Sequence, residues 1–241
     1  MATAVNAELI GALQYEEMVT ISPETRLDQL VSGRPWMARI LIAFGIDWPK
    51  CGPFSLSNSC RGLPIDVYDL TKVLGRVAQG PEGLRNLSLG ELTAHIVQCH
   101  HRYLRRVLPR LLRQMEEVTR RYPELLPLQL EIQEFAVRAN PHMFREEQVV
   151  FPAIRDLNQE PNLSGHLARW IGSLLREHDS ALEHVSALRQ LTVNYQADSR
   201  RGQDYQKLMA ALADLDDEMR WHMYAENEIL FPAALRAMQA A

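Results

Sequence analysis

The sequence predicts an all-α protein, an up-down-up-down four-helix bundle preceded by a small helical N-terminal domain. Runs of β-branched residues with a period of two are missing, whereas apolar residues spaced three and four apart fill most of the 241 positions. Caps and breakers divide that pattern into four long stretches with short connections, which is how a bundle reads. The apolar fraction of 46% is enough for a sizeable core.

The elements follow in chain order. Short helices are expected from Leu27 to Ser32 behind Thr25, from Trp36 to Phe44 closed by Gly45, and over roughly 65–78. Between the second and third, Pro49, Gly52, Pro53, Gly62 and Pro64 rule out a continuous helix. Residues 1–80 therefore form the small domain, and 81–87, within GPEGLRN and its flank, read as a linker. Ser88 with Glu91 three places on reads as a capping box that opens the bundle, 88–241. Its helices are expected at about 89–120, 124–155, 162–190 and 203–238, the first stopped by Tyr122-Pro123.

Composition narrows the function. A formal net charge of −4, with no run of five like charges, gives no reason to expect a nucleic-acid or anionic-membrane partner. The clustered Arg102, Arg105, Arg106 and Arg110 fit the outer face of a helix. No apolar run approaches the length of a membrane span, and the N-terminus lacks the basic region of a signal peptide. Three scattered cysteines, Cys51, Cys60 and Cys99, do not make a disulfide framework, so a reducing cytoplasm is expected.

The chain writes one motif twice: HMFREEQVVFPA from His142 and HMYAENEILFPA from His222, eighty residues later. In each, a glutamate follows the histidine by four places, Glu146 and Glu226, so each pair shares a helical face. Val149 and Ile229 continue the stripe with apolar side chains and direct the pairs inward. A buried carboxylate needs a partner, because leaving one bare costs several kcal/mol even after relaxation. A metal ion would supply it. Helical phase then picks one inward histidine on each remaining helix: His101 among Ala94, Val97, Leu104 and Leu108, and His178 among Ile171, Leu174, Leu175, Leu182 and Val185. His95, His100, His166 and His184 are turned away by the same count. A single histidine on an apolar stripe reads as a satisfied core residue. The duplicated pair with an inward histidine on each other helix reads as a metal centre.

Four imidazoles and two carboxylates exceed the four positions of tetrahedral zinc and suit two ions. Two glutamates from opposite helices can bridge the ions while two histidines cap each. Imidazole and carboxylate suit iron and manganese; redox iron is the better fit, but ligand type does not choose between them. Six protein ligands leave open positions, which fit dioxygen, nitric oxide or peroxide. No flavin, nicotinamide or haem motif is present, so electrons must come from a partner protein.

With these motifs, the chain from about residue 25 resembles the repair-of-iron-centres family, hemerythrin-like HHE proteins that join a small ScdA-type N-terminal domain to a di-iron bundle. The pattern is met at His101 in CHHRYL, His142 and Glu146 in HMFRE, His178 in REHDS, and His222 and Glu226 in HMYAE. The resemblance implies a cytoplasmic non-haem centre of two iron ions, with room for an oxo or hydroxo bridge, in a protein of the nitrosative and oxidative stress response. It implies repair of damaged iron-sulfur clusters in client proteins, reaction with nitric oxide, or both. As an enzyme it would be a di-iron oxidoreductase acting on nitric oxide or a related diatomic. The alternative is a non-catalytic oxygen or nitric oxide sensor, or an iron-binding module.

Two positions depart from the pattern. Oxygen-carrying hemerythrins have a further histidine four places after the third-helix ligand, where this chain has Leu182; the symmetric set favours the repair family. The family's Cys-Cys-Gly-Gly turn after an Asp-aromatic pair is replaced by Pro49, Lys50, Cys51 and Gly52 after Asp47-Trp48, so a dithiol role does not carry over. Glu177, next to His178, reads as a solvated glutamate or as a proton relay. Arg138 and Glu218, one turn before His142 and His222, are expected to pair across the bundle and orient the imidazoles. Pro109, Pro141, Pro152 and Pro232 are expected to bend their helices or interrupt regular bonding. LIGALQYEEMV, residues 9–19, reads as an amphipathic docking helix or a tail.

Overall fold

The computed structural model describes residues 20–34, 36–157 and 164–240, and residues 9–19 lie outside them. Among the described residues no strand forms; the one β-bridge joins Arg26 to Ser55. The protein is all-α, as expected. It divides into two compact units, Met1–Tyr103 and Leu104–Ala241.

The first unit holds α1 (Leu27–Gly33), α2 (Met37–Ala43), α3 (Trp48–Cys51), α4 (Leu56–Ser59), α5 (Val67–Ala78), α6 (Gly80–Arg85) and α7 (Leu89–Ile96). The close of α2 at Gly45 is a Schellman motif. The Ile46 N–H donates to the Leu41 carbonyl at 2.9 Å and the Gly45 N–H to that of Ile42 at 2.8 Å, while Gly45 takes φ 85°. The glycine- and proline-rich stretch after it holds only the single turns α3 and α4, tied back to α1 by Asp28 N–H to Gly52 O, 2.8 Å, and Leu56 N–H to Thr25 O, 2.9 Å. Asp66 caps α5 through the Tyr68 and Asp69 amides. Ser88 and Glu91 form the expected capping box on α7. The segment read as a linker is mostly α6, packed close to α5: a Cβ on Gly83 would sit 2.3 Å from the Arg76 carbonyl oxygen.

The compact division falls inside the first long helix because its N-terminal part shares the core of the small helices. Cys99 is buried with Leu27, Leu41, Leu70 and Leu74. This also corrects the phase reading of two histidines. His95 and His100, expected to face out, are 4% and 5% exposed. A helix face that looks polar by count is buried once a second layer covers it.

The second unit contains α8 (Arg102–Arg121) from Leu104 on, α9 (Leu126–Arg145) after a 3-10 turn at Pro123–Leu125, α10 (Phe151–Arg155), α11 (Ser164–Leu191), α12 (Gln203–Met223) and α13 (Phe231–Ala240). Of the stripe residues that periodicity picks, Leu104, Leu108, Ile171, Leu174 and Val185 are buried, while Ala94, Val97, Leu175 and Leu182 are only partly so; Leu111 and Met115 on α8, Ile132 and Phe135 on α9, and Leu208, Leu212 and Leu215 on α12 also face inward. Two polar clusters hold the bundle in register. Asp216 is buried and accepts from Arg189 Nε and Arg220 Nε, each at 2.9 Å. At the bundle end the Arg201 guanidinium lies 4.8 Å from the ring centroids of both Tyr122 and Tyr205.

Periodicity did not anticipate the change of winding. The chain passes from α to π at Val97–His101, Glu146–Val150 and Tyr224–Leu230. Single π turns inside α-helices concentrate at functional sites. The last two end at Phe151-Pro152 and Phe231-Pro232. A proline has no N–H, so in α winding the carbonyl four places back, on Gln148 or Glu228, would lose its donor; both carbonyls lie inside the π segments. The widened turn shifts the phase behind it. Val149, expected inward, is 39% exposed and Val150 takes the buried place, while Ile229 is buried as expected.

Candidate metal centre

His142 lies in the last turn of α9 and Glu146 opens the π segment four residues later, so both side chains leave the same helix face. His222 and Glu226 repeat this across the junction of α12 with its π segment. His178 comes from the middle of α11. Glu146, His178, His222 and Glu226 are at most 1% exposed, and the His142 side chain is 12% exposed. The stripes that bury the apolar core also bury these groups.

The two oxygens of Glu226 face different histidines. Oε1 lies 3.1 Å from His222 Nε2, and Oε2 lies 3.2 Å from His178 Nε2. Glu146 Oε1 is 3.2 Å from His142 Nε2 and 3.6 Å from His178 Nε2, and these two Nε2 atoms are 3.0 Å apart. In one grouping the donor atoms of His142, Glu146, His178 and Glu226 all lie within 4.8 Å of one another. In the other the same holds for Glu146, His222 and Glu226, while His101, expected with them, belongs to the first unit. Five of the six residues expected from the sequence, all from the second unit, are brought into these groupings, and both glutamates belong to both.

The outer nitrogens are held as well. His142 Nδ1 is 2.8 Å from Glu177 Oε2, which also accepts from Arg145 Nη2 at 2.5 Å. His178 Nδ1 is 2.6 Å from Asn227 Oδ1, and the Phe231 ring stacks on its imidazole at 5.9 Å. Partners of this kind fix the ring orientation and tautomer of a metal-binding histidine. Glu177 is thus neither plainly solvated nor remote, and Asn227, adjoining Glu226, is a second such partner that helical period does not pick out. Its signal was the place one residue past a motif glutamate. The expected pairing of Arg138 with Glu218 is not formed: Arg138 bonds Glu134 at 2.6 Å on its own helix, while Glu218 is buried.

Electrostatics agree with a cation-seeking pocket. Burial pulls the His142 imidazole down, but the Glu146 hydrogen bond, the charges of Glu146 and Glu226, and the Glu177 hydrogen bond outweigh it and raise its pKa to about 9. His178 is likewise raised against its burial by Glu146 and Glu226. Glu177 is held below the usual carboxylate range, against burial, by His142 and Arg145. Two buried carboxylates draw positive charge to their neighbours, which is the demand a divalent ion would meet. The donors are imidazole nitrogen and carboxylate oxygen with no cysteine, a set suited to iron or manganese. A cavity of about 320 Å³ reaches this point from outside, with His142 and His222 in its wall beside Phe135 and Met219, and Arg145 and Glu177 also lining it. His184, expected to turn away, lines it too and bonds Glu131 through Nδ1 at 2.5 Å.

Cys51, Cys60 and Cys99 are in no disulfide. Among the described residues no helix is long and apolar enough to cross a membrane.

Comparison with known proteins matches the family description "Hemerythrin HHE cation binding domain" to residues 92–198 and 170–241. The iron-sulfur cluster repair protein YtfE of Enterobacter sp. (strain 638) is 24% identical over 215 residues, 87% of this chain and 96% of that protein. The protein of the same name from Musicola paradisiaca (strain Ech703) is 25% identical over 222 residues, 88% and 97% of the two chains. The iron-sulfur cluster repair protein ScdA of Staphylococcus haemolyticus (strain JCSC1435) is 24% identical over 218 residues, 88% and 98%.

Proposed function

Because the chain belongs to the hemerythrin HHE cation-binding family, we propose that it is a non-haem di-iron protein of the nitrosative and oxidative stress response that repairs damaged iron-sulfur clusters and reacts with nitric oxide. The observation that carries this reading is the sharing of Glu146 and Glu226 by two groupings of donors, with the two Glu226 oxygens turned to different histidines. In this reading Glu146 and Glu226 would hold both ions, with His142 and His178 supplying nitrogen to one and His101 and His222 to the other. The small helical domain is 1–80 and the di-iron bundle 88–241.

When bound, the iron pair supplies one-electron redox chemistry and open positions for a diatomic ligand. The residues do the rest. Glu177 holds the His142 ring by Nδ1 and can take or return a proton there, whereas Asn227 Oδ1 accepts from His178 Nδ1 and only orients that ring. Phe231 and the apolar stripes keep bulk water from the carboxylates. The cavity beside His142 and His222 admits a small ligand. Electrons come from a donor protein, iron-sulfur proteins are the clients, and the cytoplasm is the place of action.

The test is metal analysis of the purified chain together with revival of an iron-sulfur enzyme inactivated by nitric oxide. About two irons per chain are expected, with loss of both metal and revival in the Glu146→Ala, Glu226→Ala double variant. Stoichiometric nitric oxide binding with neither turnover nor revival would instead make the protein a sensor or iron-binding module.

A further inference from the structure

The cavity beside His142 and His222 has a polar wall reaching beyond the donor groupings. On α11, Glu177, Ser180 and His184 all line it, with Glu177 and His184 two turns and roughly 10 Å apart. Leu104, Phe135 and Met223 make other parts of the lining apolar. His184 is fixed at one nitrogen. Its Nδ1 is 2.5 Å from Glu131 Oε1 on α9, and the Phe135 ring meets the imidazole edge-on at 6.5 Å between centroids. With Nδ1 held, a proton offered to the cavity comes from Nε2.

Reduction of nitric oxide consumes protons. Two molecules of nitric oxide, two electrons from the iron pair reduced by its donor protein, and two protons give nitrous oxide and water. An N–N bond forms, one N–O bond breaks, and the freed oxygen leaves as water. The cavity wall offers few sources for those protons. Arg138 and Arg145 do not give up a proton in a protein, and they are bonded to Glu134 and Glu177. His142 and His222 belong to the donor groupings, and Glu177 is committed to His142 Nδ1 and to Arg145. His184 is left, and histidine is the side chain that takes and gives a proton near neutral pH.

We propose that His184 is the proton donor of the cavity, passing its Nε2 proton by way of Ser180 and cavity water to nitric oxide under reduction, while Glu131 holds Nδ1–H and stabilises the charged ring. Solvent at the cavity mouth reprotonates Nε2. The inference rests on the nitric oxide reading of the same site. Free hydronium is scarce at neutral pH, so a fixed donor in the wall sets the supply. A cavity of about 320 Å³ has room for a file of waters, each with a share of about 30 Å³. The charged groups around the pair are Glu134 and Arg138 on α9 and, further along the cavity, Glu177 and Arg145.

The experiment uses full-length protein loaded with iron, reduced, and exposed to nitric oxide. His184→Gln keeps a donor for Glu131 but carries no transferable proton, so a merely structural pair would leave it like the wild type. Iron content and the absorption spectrum of bound nitric oxide should be unchanged, while nitrous oxide formation falls about a hundredfold. Rising concentrations of acetic acid, small enough to enter the cavity, should restore the rate. Glu131→Gln, which keeps an acceptor for Nδ1–H without its charge, should show a smaller fall. In metal-free protein labelled with 15N, the His184 ring should keep its Nδ1 proton on Glu131 and exchange its Nε2 proton with solvent. A wild-type rate in His184→Gln, a loss that acetic acid does not restore, or an Nε2 proton shielded from exchange would overturn the role and leave the nitric oxide reading standing. A wild type that forms no nitrous oxide although Nε2 exchanges freely would bring down that reading, and the donor with it.

Discussion

His142 and Glu177 are joined at 2.8 Å between Nδ1 and Oε2, on helices thirty-five residues apart in sequence, and Arg145 bonds the same carboxylate oxygen. The imidazole is therefore gripped at its outer nitrogen while Nε2 faces Glu146. The arrangement predicts that Glu177→Ala leaves the fold intact but weakens iron binding by about 10–100-fold, the usual effect of losing such a partner. Competition with a chelator measures it. Glu177→Gln, which keeps an oxygen for the ring, should recover part of the loss; unchanged affinity in the alanine variant would remove Glu177 from the site.

Removing the metal should soften the protein. A ligand at about a thousand times its dissociation constant stabilises the folded state by roughly 4 kcal/mol. For a protein of this size that corresponds to a melting temperature lower by about 8–16 °C after chelation. Scanning calorimetry of the loaded and stripped protein checks this, and equal melting temperatures would count against a centre formed by the folded bundle.

His95 makes the first unit sensitive to acid. Burial, then the charges of His100 and Arg76, lowers its pKa from 6.5 to about 3. The unfolded chain binds a proton near pH 6.5 that the folded one refuses, so this contribution is fully present above pH 6.5 and lost as pH falls toward 3. At pH 5 the loss is about 2 kcal/mol. In urea titrations, His95→Gln should show a shallower fall in stability between pH 6.5 and 5 than the parent; parallel curves would refute the assignment.

Asp216 is 3% exposed and shared by Arg189 and Arg220. Both arginines reach solvent, which limits the effect of losing their acceptor. Asp216→Ala is expected to destabilise the protein by about 1–3 kcal/mol without altering iron content. Denaturant midpoints and metal analysis of one preparation test both halves of that statement.

Sequence alone determined much here: the helical class, the capping box at Ser88, the close of α2 at Gly45, and five candidate donors that the second unit gathers in two groupings. These are legible because helical period, cap chemistry and a repeated His-x-x-x-Glu motif are local properties of the chain. Tertiary structure decided the rest. Straight 100° phasing could not foresee the π segments, so it placed Val149 inside and left Val150 unremarked. Nor could it see that small helices cover the face bearing His95 and Cys99. The partners Glu177 of His142 and Asn227 of His178 sit on other helices. Which side chain meets which across a bundle depends on the packing of helices distant in sequence, and a pattern read along one helix carries no record of that.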